Sequence, residues 1–245
     1  MKSIIRWGLT LGILINPITN LSLMQPTPVV ALPKSAIVDF LSGVPVYSVI
    51  NQQGSPVGRQ LDNGSVVTPV FMSRREAEAL LTELRRIDSE AASSYRIQML
   101  PLSRIYKVAR ENSGNSTRLF LDYIPSTREA NVARNLAREN GQEYSGDVPL
   151  YIAEIESEQS YLTIKQDDQN VVPIFFEKAT IDQWIKSVVE AQPELGDSIT
   201  ISVISLSNLI ANLEKNDNNF LRSLRFWPSE EMMQIIRSNS QNQPR

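Results

Sequence analysis

The sequence predicts an α/β (α+β) fold of two pseudo-symmetric repeats, each a small sheet packed with helices. Three observations carry that prediction. Short apolar strings recur at one fixed offset. Within each copy, residues alternating with a period of two are followed by residues recurring every three to four. Of the 245 residues, 42% are apolar and none is cysteine, so the core closes by packing without disulfides.

The offset is 104, the distance from Val44 to Val148. Val44-Pro45-Val46-Tyr47 returns as Val148-Pro149-Leu150-Tyr151, Thr68-Pro69-Val70-Phe71 as Val172-Pro173-Ile174-Phe175, and Leu102-Ser103-Arg104-Ile105 as Leu206-Ser207-Asn208-Leu209. Tyr123-Ile124-Pro125-Ser126 matches Phe226-Trp227-Pro228-Ser229 one residue out of register. The repeats are therefore read as residues 36–142 and 145–238, with the polar stretch 239–245 as a disordered tail.

Residues 44–50 alternate and carry β-branched side chains, predicting a half-buried strand, and 66–71 predict a second. Pro45 and Pro69 cannot donate to a ladder, which places them at strand starts or on an edge. Asn51 to Gly58 and Asp62-Asn63-Gly64 supply turn chemistry. Ser73 followed by Glu76 has the form of a capping box, and Ala77, Leu80, Leu81, Leu84 and Ile87 recur at helical spacing, predicting a helix over 74–91. A strand over 95–100, a short helix over 102–110 and a strand over 118–124 follow. Ser126 with Glu129 repeats the capping box and opens a helix that stops near Asn140-Gly141. In the second copy, Ile181, Trp184, Ile185, Val188 and Val189 form the matching helical stripe. Strands are predicted there over 148–155, 160–165, 171–176, 199–204 and 220–227.

Residues 1–31 have the layout of a secretory signal peptide: Lys2 and Arg6, an apolar run from Trp7 to Ile15, then small residues Val29 and Ala31 before Leu32. Asn16 and Pro17 interrupt the run short of the roughly 20 residues that cross a bilayer, so a cleaved signal without stable membrane insertion is expected. Removing that segment leaves 22 basic and 27 acidic residues, a net charge of −5. Such a balance argues against nucleic acid and against strong attraction to anionic lipid.

The chain has no histidine and no cysteine. Cysteine nucleophiles, Ser-His-Asp triads, Cys/His zinc sites, haem attachment and iron–sulfur clusters are thereby excluded. No cofactor or metal is expected, and no glycine-rich phosphate loop is present, since Gly54 and Gly58 lack the following helix and lysine. Glu154, Glu156 and Glu158 alternate, so a strand would set them on one face, as paired carboxylates or as a solvated, charge-protected edge. Asp167-Asp168 reads as a turn pair, with too few ligands around it for an EF-hand loop. Ser103 and Lys107 lie one helical turn apart, as a dyad or, with Ser103 as a cap, as ordinary helix chemistry.

The aromatic residues carry more information. Phe71-Met72 corresponds to Phe175-Phe176, and consecutive strand residues point to opposite faces. Met72 and Phe176 then emerge opposite Phe71 and Phe175, and an open face would make two related apolar pockets. Met72, Leu80, Phe176, Trp184 and Trp227 are the candidate pocket residues, suited to extended protein segments.

GVPVY at 43–47, TPVFMSRREAEALL at 68–81, LSRIYKV at 102–108, DYIPSTREANVA at 122–133, DVPLY at 147–151, VPIFFEKATIDQWI at 172–185 and ISLSNLI at 204–210 resemble the Tic twenty-two-kilodalton family. Its members are a soluble intermembrane-space import component of chloroplasts and its cyanobacterial periplasmic relatives. The resemblance implies a chaperone-like, non-catalytic protein with a pseudo-twofold α/β fold. It implies a role in protein transport and outer-membrane biogenesis, with unfolded precursor or outer-membrane proteins as partners. The bacterial type of signal places it in the periplasm rather than the plastid intermembrane space or thylakoid lumen. A scaffold subunit docked to an outer-membrane assembly machine is the alternative. A carboxylate enzyme is not favoured by the repeat, because Glu154 aligns with Ile50 and Glu156 with Gln52.

Overall fold

In the computed structural model, residues 31–114, 118–139, 141, 143–156, 159–228 and 233 are described. Apart from Ala31 the expected signal peptide lies outside them, as do Glu158, Asn140 and the expected tail. The described elements begin with α1 (Lys34–Leu41), β1 (Pro45–Ile50), β2 (Arg59–Gln60), β3 (Val66–Phe71), α2 (Arg74–Ile87), α3 (Ser89–Ala92), β4 (Arg96–Pro101), α4 (Leu102–Glu111), β5 (Leu119–Ile124) and α5 (Thr127–Glu139). They continue with β6 (Pro149–Ile155), β7 (Ser160–Tyr161), β8 (Ile164–Gln166), β9 (Gln169–Phe175), α6 (Lys178–Ala191), a 3-10 segment (Pro193–Ser198), β10 (Ile199–Ser205), α7 (Leu206–Lys215), α8 (Asn219–Ser223) and β11 (Leu224–Trp227). Helices and strands are mixed along the chain, and the fold is α+β.

Two sheets form. In the first, β1 runs antiparallel to both β4 and β3, and β3 runs parallel to β5. In the second, β6 runs antiparallel to both β10 and β9, and β9 runs parallel to β11. The order β4-β1-β3-β5 in one is the order β10-β6-β9-β11 in the other. Tyr47 faces Phe71 in the first sheet, and Tyr151 faces Phe175 in the second. The N–H of Leu102 donates to the carbonyl of Val44 at 2.7 Å, and that of Leu206 to Val148 at 2.9 Å.

Alternation along the strands splits the apolar residues between an inner and two outer cores. Val46, Val70, Leu150, Ile174 and Phe176 share the central core with Ile37 and Leu41 of α1, Leu102 of α4, and Leu206 and Leu213 of α7. Tyr47, Val49 and Phe71 meet Ala77 and Leu81 of α2 on the outer face of the first sheet. On the outer face of the second, Tyr151, Ala153 and Phe175 meet Ile181 and Val188 of α6. Val132 and Leu136 of α5 also pack there, so a helix that follows the first sheet covers part of the second.

Several expectations are corrected. Pro69 sits mid-strand, not at a start or edge. The antiparallel partners of β3 are Val66 and Val67 with β2, then Phe71 with β1, so the missing N–H falls where no partner is present. Gly58 runs close by: a Cβ there would lie 2.4 Å from Cγ1 of Val66, which only glycine avoids. The helix expected over 74–91 stops at Ile87, because Asp88 takes an extended conformation and its carboxylate accepts from Ala91 N–H at 2.9 Å, capping α3. The strand expected over 220–227 begins at Leu224, because the Asn218 side chain accepts from Leu221 N–H at 2.8 Å and starts α8. The strand expected over 160–165 is divided between β7 and β8. Ser103 is no cap: it is the buried second residue of α4, and Lys107 stands 4.0 Å from Glu111. Asp167 and Asp168, both at positive φ, are the two turn residues between β8 and β9.

The two capping boxes are used in an unexpected way. Ser73 accepts from Arg75 N–H at 3.2 Å and Ser126 from Glu129 N–H at 3.2 Å, so each serine caps its own helix. Each glutamate reaches outward. Glu76 accepts from the N–H and the hydroxyl of Thr127 at 3.0 and 3.2 Å, tying α2 to the first turn of α5. Glu129, buried, accepts from the Tyr151 hydroxyl at 3.0 Å and from Lys178 N–H, the first residue of α6, at 3.1 Å. A second tie joins α4 to α7: Glu214 accepts from the Tyr106 hydroxyl at 2.8 Å and pairs with Arg110 at 2.7 Å.

Replacing Glu129 by Ala leaves the Tyr151 hydroxyl and the Lys178 N–H without an acceptor. Destabilisation of about 3 kcal/mol is expected, read from the urea midpoint, with a smaller loss for Glu129→Gln, which keeps an acceptor. Burial, and then the bond to Glu214, push the Tyr106 phenol up to about 12 from its usual value near 10. A raised folded-state pKa means that this contribution is whole below pH 10 and is lost as pH rises through 12. Alkaline unfolding followed between pH 9 and 12 should therefore be less pH-dependent in Tyr106→Phe than in the parent chain.

Candidate functional site

Two concavities stand out among the described residues. The smaller, of about 200 Å3, lies where the N-termini of α2, α5 and α6 converge. Met72 and Phe176 line it with Pro125, Val148 and Pro149, beside Glu76, Glu129 and Glu177. Each helix N-terminus there presents N–H groups and a partial positive charge that favour an anion. The chain's own groups already answer them, through Glu76 at α5 and Glu129 at α6. Burial raises the Glu76 carboxyl, but hydrogen bonds from Ser73 and Thr127 outweigh it and leave its pKa lowered, in keeping with a carboxylate committed to helix capping. What remains open is a niche of mixed apolar and charged lining, smaller than the about 300 Å3 at which small-molecule pockets begin.

The five sequence-predicted pocket residues do not form one site. Met72 and Phe176 meet at the small cavity, although Phe176 is only 7% exposed and stacks on Phe226 at 5.0 Å as part of the central core. Trp184 and Trp227 lie on the opposite face of the second sheet, against Phe175 at 5.3 and 5.6 Å. Leu80 is apart from all four, packed on the outer face of the first sheet.

The larger concavity, about 590 Å3, was not anticipated from the sequence. It runs beside β10. Ile152, Ser202, Ile204 and Leu209 form its inner wall, Ala133 and Ala137 of α5 with Tyr144 its outer wall, and Tyr161 with Phe220 one end. Those two rings stack at 4.6 Å. Asn208 and Asn212 line it one turn apart on α7, and Asn216, the extended residue that ends the helix, lines it beyond them. Asn216 donates to the Asn212 side chain at 3.3 Å, and the Asn212 side chain to the backbone carbonyl of Asn208 at 2.9 Å, so each is tied to the residue four positions before it. The i, i+4, i+8 spacing of these asparagines was visible in the sequence. That they face a groove was not.

The carboxylates near the two concavities are Glu76, Glu129 and Glu177 at the small one and Glu143 and Glu154 at the large one. Of the expected carboxylate row, Glu154 is on β6, which ends at Ile155, and Glu156 is exposed beyond it, while Glu158 lies outside the described residues. Glu154 pairs across the sheet with Thr200 and Tyr161 at the groove margin. Among the described residues no group of three or more acidic side chains is placed to hold a metal ion, and no helix is long and apolar enough to cross a membrane.

Comparison with known proteins gives one consistent result. Anabaena Tic22, a protein of protein transport, superposes with a TM-score of 0.72 at 27% identity, covering 87% of this chain and 99% of that one. Tic22 from Plasmodium falciparum superposes with a TM-score of 0.61 at 19% identity, covering 85% of this chain and 99% of that one, a likeness of fold alone. Among curated proteins no sequence relative matches. The model of the Tic22-like family matches residues 17–238, nearly the whole sequence, and the chain belongs to that family.

Proposed function

We propose that the protein acts in protein transport as a chaperone-like binder of unfolded precursor or outer-membrane proteins crossing the periplasm, without turnover. The observation that carries this reading is the groove beside β10, whose volume of about 590 Å3 suits a stretch of polypeptide. Its lining mixes apolar side chains, a stacked Tyr161-Phe220 pair and asparagine amides. Such a surface offers burial to any apolar side chain and hydrogen bonds to any backbone, which is what a binder of many sequences needs. Family membership and the relation to a transport protein of Anabaena point the same way. The layout of residues 1–31 supports export, in keeping with the periplasm as the proposed compartment.

The test is suppression of aggregation when a β-barrel outer-membrane protein is diluted from urea, followed by light scattering. Suppression close to equimolar ratio is expected, falling several-fold in Phe220→Ser, which removes one ring of the stacked pair. Absence of suppression at large excess would overturn the reading in favour of a scaffold bound to one folded partner. Met72 is the better probe of the small cavity, since charging Phe176 would disrupt the central core.

A further inference from the structure

We infer that the free edge of β10 is a strand-addition site, which pairs by its backbone with an extended, neutral to basic segment of another polypeptide. This deepens the binding reading above and rests on it. The inference begins with hydrogen-bond parity. Leu206 N–H donates to the carbonyl of Val148, which makes Ser205–Pro149 a pair without mutual hydrogen bonds. Parity then alternates along an antiparallel ladder. Thr200, Ser202 and Ile204 bond to β6, while Ile199, Ile201 and Val203 turn their N–H and C=O groups away from it. Among the described residues no hydrogen bond reaches those outward groups, and β10 pairs only with β6.

The corresponding edge of the first sheet is guarded. β4 holds the same place beside β1, begins at Arg96 and ends at Pro101. A charge at one end and a residue without N–H at the other are common ways of blocking edge pairing. At the same ladder positions β10 carries Thr200 opposite Glu154 and Ser205 opposite Pro149. The whole strand, ITISVIS, has neither charge nor proline. Its seven residues span about 23 Å at roughly 3.3 Å each, enough to pair with a segment of similar length.

Charge selects the occupant. The charged side chains lining the groove are Glu143 and Glu154, both acidic, with no lysine or arginine among them. A neutral or basic segment is favoured, and an acidic one repelled. Self-pairing of two β10 edges would set two acidic linings side by side.

The probe is a fluorescent peptide of alternating Thr and Val with a C-terminal Lys, titrated into the full mature chain. Amide exchange at β10 is read in parallel. Saturable binding is expected, with at least tenfold slower exchange at Ile199, Ile201 and Val203 and little change at Thr200, Ser202 and Ile204. Val203→Pro removes one outward donor and leaves the β6 ladder intact; it should weaken binding at least tenfold, with unchanged circular dichroism. Ser202→Lys, which puts a charge beside the edge, is the second variant and should weaken the basic peptide likewise. No binding by the parent chain, protection elsewhere, binding by both variants as tight as the parent's, or slowed exchange arising from self-association in sedimentation would each overturn the inference. In the light-scattering assay, a parent chain and a Val203→Pro chain that suppress aggregation equally would leave the chaperone reading standing and overturn strand addition alone. A parent chain that binds the peptide but suppresses nothing would overturn the chaperone reading alone.

Discussion

Everything in this molecule depends on one buried carboxylate. Glu129 opens α5, the helix that leaves the first sheet, and its charge is met by groups of the second: the Tyr151 hydroxyl on β6 and the first N–H of α6. An unpaired carboxylate in that position would cost several kcal/mol, so the helix is held to the one placement that satisfies it. Tyr151 answers in kind, its phenol pushed well above the usual range by burial and by the neighbouring carboxylate, which keeps it a hydrogen-bond donor. With α5 fixed there, Val132 and Leu136 cover the second sheet, and Ala133 and Ala137 become a wall of the large groove. One polar contact thus couples the packing of two sheets to the shape of the functional surface.

The two sheets share strand order and pairing sense but not surroundings. The outer face of the first is closed by α2, while that of the second carries both α5 and α6. Equal topology with unequal cover means that the two faces cannot present equal pockets. The asymmetry reaches the edges as well, where Arg96 and Pro101 on one strand stand against Thr200 and Ser205 on the other. A strand edge is a row of donors and acceptors with no side chain needed, so the difference between a guarded and an open edge lies in a few residues at its ends.

Local patterns carried much of the fold into the sequence. Ser73 and Ser126 mark true helix starts, and β3 spans the residues its alternation predicts, because capping and period-two burial are local effects. The misses were also local in kind. Asp88 and Asn218 are helix caps lying inside apolar patterns, and a hydrophobic count over a window does not register them. Pro69 defeats the edge rule because the gap that accepts it is made by β2 ending and β1 beginning beside it, a tertiary circumstance. The destination of Glu76 and Glu129 was illegible for the same reason: a capping box read in one helix cannot reveal that its acid bonds the next helix. Among the candidate pocket residues, Met72 and Phe176 converge because they end equivalent strands. Leu80 and Trp184 stand on helical apolar stripes and Trp227 on an apolar strand, and neither a stripe nor bulk says which of three cores a side chain joins.

The two concavities show opposite solutions to one electrostatic problem. At the junction of α2, α5 and α6, unsatisfied N–H groups would attract an outside anion, and the chain supplies its own carboxylates instead. Along β10 the outward N–H and C=O groups receive no partner among the described residues. Backbone donors left hydrated beside apolar walls can exchange that water for another backbone with little loss of hydrogen bonding, while the walls gain buried area. On the proposed strand-addition reading a partner needs no side-chain code, and selectivity would come from charge, through Glu143 and Glu154 in the groove lining. Breadth toward sequence with discrimination by charge is the behaviour that transport of many unfolded chains demands.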